Sequence, residues 1–315
     1  MKPFISFLLL LIAKSITAQK IEKFYDYKWR ETDESKARFF SVAGKTDSGW
    51  RRNDYFIYEK SLQMAGLYED DSCKIKNGYF YFFYPNKNLS ESGKYVHNKK
   101  EGLWVSYYSN GMMRDSAFFV DGHVTGVYLR WHSNGYPADS IMWNNDGTGV
   151  EVTWFDNGSP SSAGRYVEGN KLNGKWQFFR KNGNLSAIET YDHGNLVKTD
   201  YYDENGQPTD FHTPDSDADF PGGESGWHKY IGKHIYFPSQ YKFVNGDQAV
   251  VVIQADIDED GNMGNVEVTI PFHKDFDAIV LNAVKKSPKW LPAFQHNRNV
   301  KYRITQEVSF TQHEY

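Results

Sequence analysis

Between residues 78 and 206 the apolar positions fall in short alternating runs, broken at a regular interval by turn residues. Each run opens on a glycine with an aromatic two positions later, at Gly78/Phe80, Gly102/Trp104, Gly126/Tyr128 and Gly174/Trp176. An aromatic-rich pair follows: Phe83-Tyr84, Tyr107-Tyr108, Trp131-His132 and Phe178-Phe179. Next stands a turn built on Asn-Gly, at Asn110-Gly111, Asn134-Gly135, Asn157-Gly158, Asn182-Gly183 and Asn205-Gly206, with Asn86-Lys87 in the first copy. A second aromatic closes each unit at Tyr95, Phe119, Trp143, Tyr166 and Tyr191. The step of about 24 residues lies in the range of repeat architectures. Asn-Gly between alternating runs predicts β-hairpins, because both turn residues adopt positive φ readily. In the second unit Trp104, Ser106 and Tyr108 point to one face, and Leu103, Val105 and Tyr107 to the other. The expectation is that both aromatic faces are buried as successive hairpins stack or pair side by side. The fourth unit departs from the pattern, with Glu151 where the opening aromatic belongs.

The period changes towards the C-terminus. Trp227, Tyr230, Ile231, His234 and Ile235 fall on one face of a helix that Pro238 stops. Ala249 to Ile253 is a β-branched run, Asp256 to Met263 a polar turn, and Val266, Val268 and Ile270 a returning strand. Phe276, Ile279, Val280, Ala283 and Val284 mark a second helix ended by Pro288. A last strand alternates through Val300, Tyr302, Ile304, Val308 and Phe310. Helix, hairpin, helix, strand implies helices on one side of a small antiparallel sheet. The fold class expected is therefore mainly β: a stacked antiparallel β-hairpin array followed by a small α+β domain.

The repeated residues resemble the MORN-repeat variants of bacterial proteins, in which G-x-W-x-x-Y-x-x-N-G units run in tandem. That resemblance implies an interaction or scaffold module. The C-terminal stretch resembles the C-terminal domain of TonB-type energy transducers. The matching features are Phe220-Pro221-Gly222-Gly223, the step Tyr236-Phe237-Pro238, the hairpin Asp258-Glu259-Asp260-Gly261, and Ser287-Pro288-Lys289-Trp290-Leu291-Pro292. The resemblance implies a periplasmic domain that takes up a short segment of an outer-membrane transporter as an extra strand. Mapped onto this sequence, the partner-binding edge strand is Val300, Lys301, Tyr302, Arg303, Ile304 and Thr305. Edge addition draws affinity from main-chain hydrogen bonds.

The domain organisation expected is a signal peptide at 1–18, an N-terminal β region with a divergent capping repeat at 19–75, repeats at 76–206, a Pro- and Asp-rich linker at 207–219, and the TonB-like domain at 220–315. Lys2, the apolar stretch Phe4 to Ala13 and the small-residue end Ser15 to Ala18 predict cleavage before Gln19. Lys14 interrupts that stretch well short of the roughly 20 residues a spanning helix needs. No cysteine near the cleavage site suggests a lipid anchor. Without a retained membrane helix and a long proline-rich spacer, force transmission is not expected.

Composition narrows the function further. The formal charge of −4 does not favour nucleic acid as a partner. The single cysteine, Cys73, rules out a disulfide within one chain and is expected to be a buried, inert thiol. Asp256-x-Asp258-x-Asp260-Gly261 with Glu267 fits a calcium-loop pattern, but strands flank it where that loop requires helices, and Asp-Gly at a hairpin tip accounts for the residues. The ten histidines show no metal-ligand spacing, and no catalytic motif stands out. No catalytic, cofactor or metal residues are assigned. The expected function is that of an exported, non-enzymatic envelope protein that binds protein partners through the repeat surface and the TonB-like domain, a segment of an outer-membrane receptor among them. The alternative is a component of TonB-dependent transport that contacts such receptors. A third reading, a glycan-binding or cell-wall-acting protein, uses the aromatic array as a sugar platform but lacks a recognisable acid pair.

Overall fold

Sixteen strands follow one another in space in the order in which they occur in sequence, each antiparallel to its neighbours. The computed structural model describes residues 20–168, 170–243 and 249–312; the predicted signal peptide at 1–18 lies outside the described residues. The sheet opens with β1 (Lys20–Tyr25), β2 (Phe39–Thr46), β3 (Gly49–Phe56) and β4 (Ser61–Tyr68). It continues through β5 (Gly78–Phe83), β6 (Leu89–Val96), β7 (Lys99–Tyr107), β8 (Met113–Val120), β9 (His123–Trp131) and β10 (Pro137–Trp143). It ends with β11 (Gly149–Trp154), β12 (Pro160–Val167), β13 (Lys171–Phe179), β14 (Leu185–Asp192), β15 (Asn195–Tyr202) and the two-residue β16 (Pro208–Thr209). The hairpins thus pair edge to edge in one sheet. Asp26 Oδ1 accepts from the N–H groups of Lys28 and Arg30, and this local turn ends β1 at Tyr25.

The Asn-Gly turns are not two-residue turns with both residues at positive φ. Only the glycine is left-handed, as at Gly111 (φ 87°). The asparagine contributes its side chain: Asn110 Oδ1 accepts from Met112 N at 3.0 Å, and Gly111 N donates to Tyr108 O at 2.9 Å. The pairing slips by one residue beside the turn, between Ser106 and Tyr107, as a glycine bulge requires. The opposite ends of the strands carry tight turns with two left-handed residues, such as Asp121-Gly122 (φ 50° and 86°).

One face of the sheet is packed and the other is open, so the expectation of two buried aromatic faces is corrected. Phe80, Trp104 and Trp176 are 0 %, 2 % and 3 % exposed, whereas Leu103 and Tyr79 on the opposite face are 60 % and 63 % exposed. A single sheet with nothing stacked on its second side can cover only one face. The buried rings lie flat over small residues of the preceding strand. A Cβ added at Gly66, Gly93 or Gly164 would stand 2.1, 2.1 and 2.0 Å from Phe80, Trp104 and Trp176. The indole N–H groups finish the contact, Trp104 Nε1 donating to Lys94 O at 3.0 Å and Trp176 Nε1 to Arg165 O at 3.1 Å.

The fourth unit breaks this rule on both strands. Ile141 occupies the place of the glycine and Glu151 that of the ring, and the two pair across β10 and β11. Tyr166 Oη donates to Glu151 Oε2 at 2.6 Å. Burial and the neighbouring Glu151 carboxylate push the Asp139 carboxyl up to about 7. Cys73 is partly buried against the N-terminal core cluster, and burial pushes its thiol up to about 11.

Beyond β16 the chain forms α1 (Gly223–His234), β17 (Ala249–Ile257), β18 (Met263–Ile270), α2 (Lys274–Lys285), β19 (Ala293–Gln295), β20 (Arg298–Val300) and β21 (Tyr302–Phe310). A three-stranded sheet runs in the order β18-β17-β21. Val251, Ile253, Ile257, Ile304 and Val308 form one core with Trp227 of α1 and Phe276, Val280 and Val284 of α2. The predicted helices and strands are in place. The short β19–β20 hairpin, whose His296 and Asn297 are both left-handed (φ 54° and 58°), has no glycine to announce it.

Candidate functional site: the C-terminal edge strand

Edge position, not chemistry, makes β21 a candidate. It pairs with β17 from Ala249↔Phe310 to Ile257↔Tyr302 and has no strand on its other side among the described residues. The predicted binding residues divide between two elements. Val300 ends β20, paired with Ala293, and Lys301 links that strand to the next. Tyr302, Arg303, Ile304 and Thr305 begin β21. Ile304 is buried in the domain core, while Arg303 and Thr305 alternate to the other face.

A groove of about 440 Å³ runs along this edge, lined by Asp217, Phe220, Trp227, Trp290, Tyr302 and Gln306 among others. The stretch that forms its far wall is stitched to the domain by backbone bridges, Ser216 to Phe294 and Asp219 to Leu291. A hydrogen bond to the Asp217 carboxylate raises the Tyr302 phenol above its ordinary range.

Arg303 has a structural task on the sheet surface. Its guanidinium bonds the Glu267 carboxylate, Gln254 Oε1 at 3.0 Å and Asp256 Oδ1 at 3.2 Å. The calcium-like pattern is thereby dispersed. Asp256 and Glu267 face Arg303, while Asp258 Oδ1 accepts from Asp260 N at 3.0 Å and Asn262 N at 2.7 Å within the hairpin turn.

The domain is seated on the array along the row of Asn-Gly turns. Tyr58 meets Phe272 with ring centroids 5.4 Å apart, and Lys181 Nζ lies 3.4 Å from Glu259 Oε2. The β19–β20 tip adds His296, Asn297 and Arg298, whose side chains bond residues of β12 to β15. Sequence patterning did not single out these three residues. Their partners are mostly backbone carbonyls, which leave no trace in residue type.

The family model described as the Gram-negative bacterial TonB protein C-terminal matches residues 233–311, from the last turn of α1 through β21. The MORN repeat variant model matches residues 100–121 and 172–193, the two units that open on a tryptophan, Trp104 and Trp176. No curated protein matches the chain. Two units of the array thus match MORN-variant repeats, and the C-terminal region matches a TonB-like domain. Neither family is a catalytic one.

Proposed function

We propose that this chain, an array of MORN-variant repeats carrying a TonB-like domain, is an exported envelope protein that binds an extended segment of another protein by strand addition at β21. The observation that carries the proposal is the open edge of β21 beside a groove of about 440 Å³. Main-chain pairing supplies affinity at such an edge, and the groove selects alternate side chains. Asp217, Asp219 and Glu224 on the groove wall favour a segment with a basic residue beside the edge. The match to the TonB C-terminal domain points to segments of outer-membrane proteins as the partner class. The repeat array acts as the platform that carries the domain, with its buried tryptophans serving as core.

A photo-crosslinking residue in place of Thr305, whose side chain is exposed next to the groove, tests this in the envelope of the native host. The expected product is a covalent adduct to an envelope protein, mapped to one short segment. Crosslinks only within the chain itself would leave the edge without a partner role.

A further inference from the structure

The Asn-Gly turns are strapped to one another by a ladder of side chains. The residue that opens each turn reaches to the main-chain carbonyl one position before its counterpart in the next unit. Tyr84 Oη donates to Tyr107 O at 2.8 Å and Tyr108 Oη to Trp131 O at 2.8 Å. His132 Nε2 lies 2.9 Å from Trp154 O, and Arg180 Nη2 donates to Tyr202 O at 3.1 Å. One rung is missing. Phe155 opens the turn of the fourth unit, accepting from Gly158 N at 2.9 Å, and a phenyl ring carries no donor for the Phe179 carbonyl.

That carbonyl is not left bare. It accepts from Arg298 Nη1, which also donates to Ser161 O at 2.6 Å. The guanidinium lies 5.2 Å from the Phe155 ring centroid and 5.7 Å from that of Phe178. Arg298 is 7 % exposed and has no carboxylate within ion-pair distance among the described residues. Carbonyl oxygens, ring faces and the more distant Glu259 carboxylate meet its charge, and its Nε has no hydrogen-bond partner there. Burial pushes the guanidinium down to about 10. The hairpin that delivers it is strained, with His296 and Asn297 both left-handed. Strain of this kind persists where surrounding contacts hold it.

We infer that the missing rung at Phe155 and Phe179 is a guanidinium socket, and that its occupant is Arg298 of this chain's own β19–β20 hairpin, which latches the TonB-like domain to the array in one orientation. The contacts on either side of the socket agree. His296 stacks on Phe178 at 3.6 Å between centroids and 4° between planes, with Nδ1 2.8 Å from Glu189 Oε1. Asn297 Nδ2 donates to Tyr202 O at 3.0 Å, and the Arg180 rung donates a second bond to Asn297 O at 2.8 Å. The one unit that departs from the repeat at Glu151 also departs at Phe155, and the domain is pinned there. The latch deepens the binding role proposed above by fixing the direction in which the β21 edge faces, and its test needs no partner.

Hydrogen exchange read by mass spectrometry on the full chain decides it. In Arg298→Ala, amides at 293–300 are expected to exchange about tenfold faster or more, because local opening no longer breaks the socket contacts, and those at 171–179, beside the uncovered Phe179 carbonyl, also faster, while those at 78–143 stay as in the parent. Adding Phe155→Tyr to Arg298→Ala supplies the hydroxyl that the Tyr84 and Tyr108 rungs use. Protection at 171–179 is then expected to recover while 293–300 remains fast. Arg298→Lys keeps the charge without the fork, is expected to fall between parent and Arg298→Ala, and stands in if the alanine variant does not fold. Parent-like protection at 293–300 in the arginine variants overturns the latch. So does a double variant in which the new hydroxyl restores nothing at 171–179.

Discussion

At the residue scale, the acid pair where the third and fourth units meet gives the clearest prediction. Asp139 is 6 % exposed, and its carboxyl is pushed up to about 7 by burial first and by Glu151 second. An ordinary carboxyl titrates near ~4, so the folded chain holds this proton more tightly than the unfolded chain. Stability contributed by the proton is complete at low pH and is lost as pH rises through about 7. Asp277, which burial likewise pushes up to about 7, adds to the same trend. The melting temperature is therefore expected to fall between pH 5 and pH 8. Asp139→Asn, neutral throughout, is expected to shrink that fall without abolishing it, since Asp277 remains. A thermal-melt series at several pH values checks this, and an unchanged slope in Asp139→Asn would count against a proton held at Asp139. The sequence disclosed only half of the pair. Glu151 stood out because it replaced a ring; Asp139 sits on the strand before it and looked like any polar residue in an alternating run.

At the element scale, the unit of stability is a ring on one strand lying over a glycine on the strand before it. Truncating Trp104 removes a fully buried ring and its bond to Lys94 O, so Trp104→Ala is expected to cost roughly 3–5 kcal/mol. Gly93→Ala makes the reciprocal test, because the added methyl would stand 2.1 Å from the same indole. Both are expected to lower the denaturant midpoint, and the double variant to lose less than the sum, since they damage one contact. Strict additivity would show that the ring and the glycine are not partners. The opening ring was legible in the sequence through its fixed spacing from the turn. Its glycine partner was not, because the bulges at Gly93 and Gly164 shift the register and hide the pairing from simple alternation. The asparagine turns were legible as turns, but their conformation followed from the Asn110 side-chain bond rather than from residue type alone.

At the scale of the whole molecule, the two halves differ in how much they declared. The helices α1 and α2 and the strand β21 follow the apolar period closely, because one core of Trp227, Phe276, Val280, Ile304 and Val308 dictates it. The seam between the TonB-like domain and the array follows no period, since Arg298 and Asn297 bond to the carbonyls of Ser161, Phe179 and Tyr202. Of the candidate edge, Tyr302 to Thr305 lie on the open strand, while Val300 closes the hairpin that anchors the domain. Arg303 also holds Asp256 and Glu267, so a proline there would test sheet integrity and docking together. Thr305 shares its backbone parity without those ion pairs, and Thr305→Pro removes one N–H from the strand. The measurement that bears most directly on a partner-binding edge is calorimetric titration of the full chain with N-terminal peptides of outer-membrane receptors from the same host. The account predicts saturable binding that Thr305→Pro abolishes while the circular dichroism spectrum stays unchanged. No heat at millimolar peptide, or binding that survives the proline in a folded chain, would contradict it.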